Sequence, residues 1–114
     1  MAAPAAKRAS SRTKARKRAL DILFEADLRQ ADPLAVLAAL DRLIAAHLSA
    51  GWTLQRMPRV DRNLARIAAY ELVHTDVSPQ VAVAEGVALA QELSTDDSAT
   101  FLNGVLRAVA DRQE

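Results

Sequence analysis

The chain has 114 residues, enough for one small domain and too few for a second independent core. About half of it is apolar (51%), but aromatic residues make up only 4%, so Ala, Leu and Val must do the packing, which favours helices over a β-sandwich or barrel. With no cysteine, a disulfide framework, a thiolate zinc site and a cysteine nucleophile are all excluded, and the net charge of +1 conceals an uneven distribution.

The N-terminal segment, Met1 to Thr13, is rich in Ala, Ser and basic residues and poor in large apolar ones, so it is expected to be a disordered arm when unbound. Lys7, Arg8, Arg12, Lys14, Arg16, Lys17 and Arg18 meet no acidic residue before Asp21, while the remainder of the chain is net acidic. Such polarity offers one local patch for phosphates, whose neutralisation gives salt-dependent affinity by counterion release. It fits a solvated tail equally well, and charge alone leaves both readings open. No stretch has the apolar core of a secretory signal or the length of a membrane span, so the expected location is the cytoplasm.

A single ordered domain is expected over residues 14–114. From Ala15, the apolar positions Ala19, Leu20, Leu23, Phe24 and Leu28 recur at helical spacing and predict a first helix to about Gln30. Its first turn carries Arg16, Lys17 and Arg18, a placement that opposes the helix dipole and is relieved by a bound anion. Asp32 and Pro33 form an N-cap with proline at the first helical position, and Leu34, Leu37, Leu40, Leu43, Ile44, His47 and Leu48 continue to a stop at Gly51, as one helix or two short ones. Beyond Pro58, a third helix presents Val60, Leu64, Ile67, Ala68 and Leu72 as its apolar stripe, with Arg62, Arg66 and Glu71 off it. Ser78 and Pro79 restart the chain into a fourth helix marked by Val81, Ala84, Val87, Ala88 and Leu93. The polar stretch Ser94 to Ser98 then caps a fifth that buries Leu102, Val105, Leu106 and Val109.

No catalytic constellation assembles from these elements. His47 and His74 stand on different elements without metal-ligand spacing, and Asp96 and Asp97 adjoin a helix start where negative charge complements the dipole. Gly86 and Gly104 are isolated within helical patterns, which points to close helix packing rather than a phosphate cradle. No nucleophile with a base, metal cluster or cofactor motif is present, so the chain is not expected to be an enzyme or to need a cofactor.

Three blocks, Ala15 to Phe24 (ARKRALDILF), Trp52 to Leu72 (WTLQRMPRVDRNLARIAAYEL) and Val77 to Leu106 (VSPQVAVAEGVALAQELSTDDSATFLNGVL), together resemble the NusB family in order and spacing. The resemblance covers most of the chain. It implies an all-α, compact helical bundle of the NusB RNA-binding type. The implied ligands are the boxA element of ribosomal RNA leader transcripts and NusE, a small-subunit ribosomal protein, with the pair joining RNA polymerase complexes to suppress premature termination. By position, the family's N-terminal basic cluster falls on Arg12, Arg16, Lys17 and Arg18, with Lys14 among them, and its first-helix aromatic falls on Phe24. Arg66, Asp97 and Phe101 complete the implied RNA set, while Asp61 and Arg62 are the implied partner-facing residues.

Physical chemistry supports cations for phosphates and aromatics for exposed bases, so Phe24 and Phe101 are candidate stacking platforms. Core packing is the competing fate of both, and Asp61 and Asp97 equally suit helix N-termini. Tyr70 and Trp52 are assigned to structure. Family members are longer, with an extra helical stretch between the first helix and the tryptophan block, and this chain looks shortened near Leu40 and Asp41. A packing surface left open by that change would favour a homodimer. The alternatives are a helical scaffold protein with a nonspecific basic arm, a stand-alone relative of the RNA-binding domain of ribosomal RNA cytosine methyltransferases and, less well supported by the capped links between helices, a DNA-binding helix-turn-helix.

Overall fold

A computed structural model describes residues 11–113 and contains five α-helices: α1 (Ser11–Leu28), α2 (Pro33–Ala45), α3 (Arg59–His74), α4 (Pro79–Leu93) and α5 (Asp96–Gln113). A single 3-10 turn, Leu54–Arg56, stands between α2 and α3. Of the expected disordered arm, residues 1–10 lie outside the described residues, and α1 begins at Ser11, earlier than its apolar pattern predicts.

Local chemistry sets the boundaries. Helix α1 ends in a Schellman motif: Gln30 takes a left-handed φ of 53°, the Ala31 N–H donates to the Ala26 carbonyl at 2.8 Å and the Gln30 N–H donates to that of Asp27 at 3.1 Å. Two residues later the Asp32 carboxylate accepts from the Leu34 N–H at 3.0 Å and starts α2 with Pro33 inside its first turn. Helix α2 runs unbroken through Leu40 and Asp41 but stops at Ala45, short of the predicted end at Gly51. Ser78 caps α4 through the Val81 N–H, and Thr95 caps α5 through the Ser98 N–H, with Asp96 and Asp97 in α5's first turn.

Helices α3, α4 and α5 pack on one another and form the centre of the bundle, α2 closes one side, and α1 packs lightly, chiefly against α2 and α3. Leu102, Val105, Leu106 and Val109 are buried on α5 as predicted. Helix α3 buries Leu64, Ala68 and Leu72, but Val60 is exposed, and Asp61 and Glu71 are buried, contrary to the placement of Glu71 off the stripe. On α4 the predicted face is largely the wrong one: Ala82, Val83, Gly86, Leu89 and Ala90 are buried, while Val81, Ala84, Ala88 and Leu93 are exposed. The cause is the small residues. A Cβ on Gly86 would stand 3.0 Å from Leu106 Cδ1 and 3.4 Å from the Ala68 Cβ, so α4 meets α3 and α5 where its side chains are smallest.

Gly104 departs from the close-packing expectation, because a Cβ there would meet nothing within 4 Å. Gly104→Ala is therefore expected to stabilise α5 by about 0.5–1 kcal/mol through lower unfolded-state entropy, read as a higher urea midpoint. A midpoint that falls would show that the position is sterically closed.

Candidate nucleic-acid interface

Helix α1 docks with Ile22 and Ala26 inward, which turns Leu20, Leu23, Phe24 and Leu28 outward. Phe24 is 60% exposed, so the core alternative for this residue does not apply in this structure. Leu20, Leu23 and Phe24 form an apolar strip at a hollow of about 440 Å³ that Asp27, Ala31 and Pro33 also line, and Leu28 and Leu34 are exposed as well. Arg16 and Lys17 are exposed on the N-terminal turns of the same helix. Arg12 and Lys14 lie on α1 as well, with side chains outside the described residues.

Arg18 has a different environment. Its guanidinium lies 2.8 Å from Glu71, 3.5 Å from Asp21 and 3.6 Å from Glu85, and so ties α1 to α3 and α4. The Glu71 side chain is only 3% exposed, and its Oε2 meets Arg18 at ion-pair distance without satisfying hydrogen-bond geometry. Burial pushes the Glu71 carboxyl above the usual range; Arg18 opposes this, and Glu85 and Asp21 add to it. A carboxyl raised in the folded state favours folding most at acid pH, below its unfolded value, and that contribution is lost as pH rises through the raised value. Glu71→Gln is accordingly expected to unfold at higher urea than the parent at pH 7, with the difference shrinking towards pH 4. A parent that is the more stable of the two at pH 7 would show that the ion pair outweighs desolvation.

Arg66 is likewise committed. Its Nε and Nη2 donate to the two carboxylate oxygens of Asp41 at 2.7 and 2.9 Å, and Nη1 donates to Asn63 at 3.1 Å, fastening α3 to α2. The fork with Asp41 holds the guanidinium more firmly protonated than usual, against a smaller opposing effect of burial. Asp61, in the first turn of α3, is buried with Oδ1 lacking a hydrogen-bond partner among the described residues. Its neighbour Arg62 donates from Nη1 to the Leu54 carbonyl at 3.3 Å. Neither implied partner-facing residue is openly displayed.

On α5, Asp97 is exposed and Phe101 is half-buried against Trp52, with ring centroids 5.4 Å apart at 48°. Trp52 follows Gly51, whose φ of +87° allows the turn, and Arg56 returns over the indole at 5.4 Å from its centroid while donating to the Gly51 carbonyl. Tyr70 is buried as expected of a structural residue, whereas Trp52 is 44% exposed. The structure thus leaves the exposed sequence-derived residues in two clusters on separate elements, one on α1 and one at the start of α5, and sets Asp61, Arg62 and Arg66 apart on α3. It also adds Trp52 and Arg56, which charge and periodicity did not single out. Among the described residues no group of three His, Cys, Asp or Glu side chains could hold a metal ion, and no helix is long and apolar enough to cross a membrane.

Comparison with known proteins gives this arrangement a lineage. The NusB family matches residues 33–111. A transcription antitermination protein NusB of Acidothermus cellulolyticus is 51% identical over 129 residues, covering 90% of this chain and 89% of that protein. Its namesake in Cutibacterium acnes is 49% identical and covers 88% of this chain, which spans 48% of that longer relative. In the Acidothermus alignment, 90% of a 114-residue chain is set against 129 residues, so about two dozen positions of the relative have no counterpart here. The solved structure of T. maritima NusB superposes with a TM-score of 0.67 at 26% identity, covering 86% of this chain and 89% of that one. With half of its residues shared across nine-tenths of its length and the same helical fold beneath them, the chain belongs to the NusB family.

Proposed function

We propose that the chain is a non-catalytic transcription antitermination factor of the cytoplasm that binds the boxA element of ribosomal RNA leader transcripts with NusE and acts on RNA polymerase. The observation that carries this reading is the 51% identity, over 90% of the chain, to a protein named for transcription antitermination. The surface supports it. Arg16 and Lys17 face solvent on the helix that displays Phe24, which pairs phosphate-binding cations with an exposed base-stacking ring. Arg18 and Arg66, each held by carboxylates, serve chiefly to position α1 and α3.

Terminator readthrough in a purified bacterial transcription system tests the proposal, using templates that carry a boxA leader or a scrambled one. Adding the chain with NusE is expected to raise readthrough on the boxA template alone. Equal readthrough on both templates, with the chain folded, would contradict it.

A homodimer is the second association the surface supports. The apolar strip of α1 is flanked by Arg16 and Lys17 at one end and by Asp27 at the other, where Glu25 is paired with Arg29 at 2.7 Å. Antiparallel pairing of two copies sets Arg16 of one opposite Asp27 of the other and Leu20 opposite Leu23, a self-complementary arrangement of the kind a two-fold axis requires. Because Phe24 lies in the same strip, RNA and self-association would compete, and added boxA RNA is expected to shift sedimentation towards the monomer.

A further inference from the structure

The cluster at the start of α5 contains an aromatic residue for which core packing is an incomplete account. We propose that Trp52, together with Arg56 and Phe101, forms a second contact for single-stranded RNA, in which an unstacked base lies against the indole and the adjoining phosphate meets Arg56. The proposal rests on the RNA-binding reading above and extends it from Phe101, which the family resemblance already implies, to Trp52 and Arg56, which neither the sequence patterns nor that resemblance assign to RNA.

Three observations converge. Trp52 leaves 44% of its surface open, although burying a large aromatic is among the most favourable things a chain this small can do. It is also held in place rather than loose: Phe101 packs on it at 5.4 Å, Thr53 caps the following 3-10 turn through the Arg56 N–H at 3.3 Å, and Arg56 bonds back to the Gly51 carbonyl. An ordered, open ring gives up little conformational freedom when a base stacks on it.

Charge supplies the third. Between Trp52 and Pro58 there is no acidic residue, and Arg59 follows directly. Among the described residues neither Arg56 nor Arg59 has a carboxylate partner, in contrast to Arg18 and Arg66, whose charges are matched within the protein. An unmatched guanidinium beside an exposed aromatic is the combination by which single strands are held without a deep pocket. Phe101 then acts by setting the tilt of the indole as well as by any contact of its own.

Trp52 is the sole tryptophan of the chain, so its emission reports on this site alone. Unlabelled single-stranded boxA RNA is titrated into the full-length chain while tryptophan emission is followed, and a fluorescein-labelled copy of the RNA is followed by anisotropy in parallel. Quenching that tracks the anisotropy isotherm is expected, with affinity falling about 5- to 100-fold in Trp52→Ala and much less in Trp52→Phe. Arg56→Ala is expected to reduce the dependence of log affinity on log salt by about one contact's worth. If the RNA binds by anisotropy while the emission is unmoved and Trp52→Phe behaves as the parent, Trp52 is structural and the proposal fails, with the RNA-binding reading intact. If no RNA binds in either assay, the RNA-binding reading itself fails and the proposal falls with it. Should Trp52→Ala not fold, the emission of the parent and the affinity of Trp52→Phe decide.

Discussion

Arg18→Ala is expected to cost about 3 kcal/mol of folding stability and to lower the melting temperature by on the order of 10 °C. The guanidinium is the cation 2.8 Å from the buried Glu71 carboxylate, and its removal leaves that charge beside Asp21 and Glu85 without the partner that opposes desolvation. The loss should shrink as pH falls, because the attraction between the pair disappears as the carboxyl takes up a proton. Combining Arg18→Ala with Glu71→Gln should recover much of it, since removing both partners of a buried pair costs far less than removing one. Urea unfolding of the parent, the two single variants and the double variant measures this coupling. Additive single effects would mean that the pair is solvated and that α1 is held by other contacts. Because the same substitution loosens the helix that presents Arg16, Lys17 and Phe24, any RNA defect in Arg18→Ala has to be separated from unfolding.

The double substitution Arg16→Ala with Lys17→Ala is expected to have the opposite profile. Both side chains are exposed and neither has an ion-pair partner among the described residues, so circular dichroism and melting temperature should stay close to the parent. RNA affinity at low salt should fall by on the order of tenfold, and the slope of log affinity against log salt should flatten by about 1.4, two single-strand phosphate contacts. An unchanged slope would remove these residues from the RNA surface. Comparison with Arg18→Ala separates cations that meet the ligand from one that holds the helix, a distinction invisible in the run of basic residues itself.

The helix boundaries were legible in the sequence wherever a cap or a proline marks them, as at Asp32, Pro33, Ser78 and Pro79. The inward face was legible on α5, where Leu102, Leu106 and Val109 are both large and buried, and in part on α2 and α3, where Leu40, Ile44, Leu64 and Leu72 point inward as their spacing predicts. Elsewhere size misled. Ala26, Ala65, Ala69, Ala82 and Ala90 occupy the closest approaches of an alanine-rich bundle, and Leu20, Leu23, Val81 and Leu93 are left outside. The short 3-10 turn was missed because it carries no periodicity, although Gly51 and Thr53 supply its turn and its cap. At the candidate interface, the basic run identified α1 and the family resemblance Arg66, but neither could show that Arg18 and Arg66 are neutralised, since Glu71 and Asp41 are brought to them only by tertiary packing. Phe24 shows the same limit from the other side: its helical spacing suggested burial, and the orientation of α1 exposes it.

Sequence-preferring RNA binding strengthened by NusE is tested most directly by fluorescence anisotropy of boxA and scrambled single-stranded RNAs at two salt concentrations with and without NusE. The expected result is tighter binding of boxA than of the scrambled RNA, a difference that persists at the higher salt and widens when NusE is present. Equal binding of both RNAs, lost at modest salt and indifferent to NusE, would contradict it and leave a helical scaffold with a nonspecific basic N-terminus.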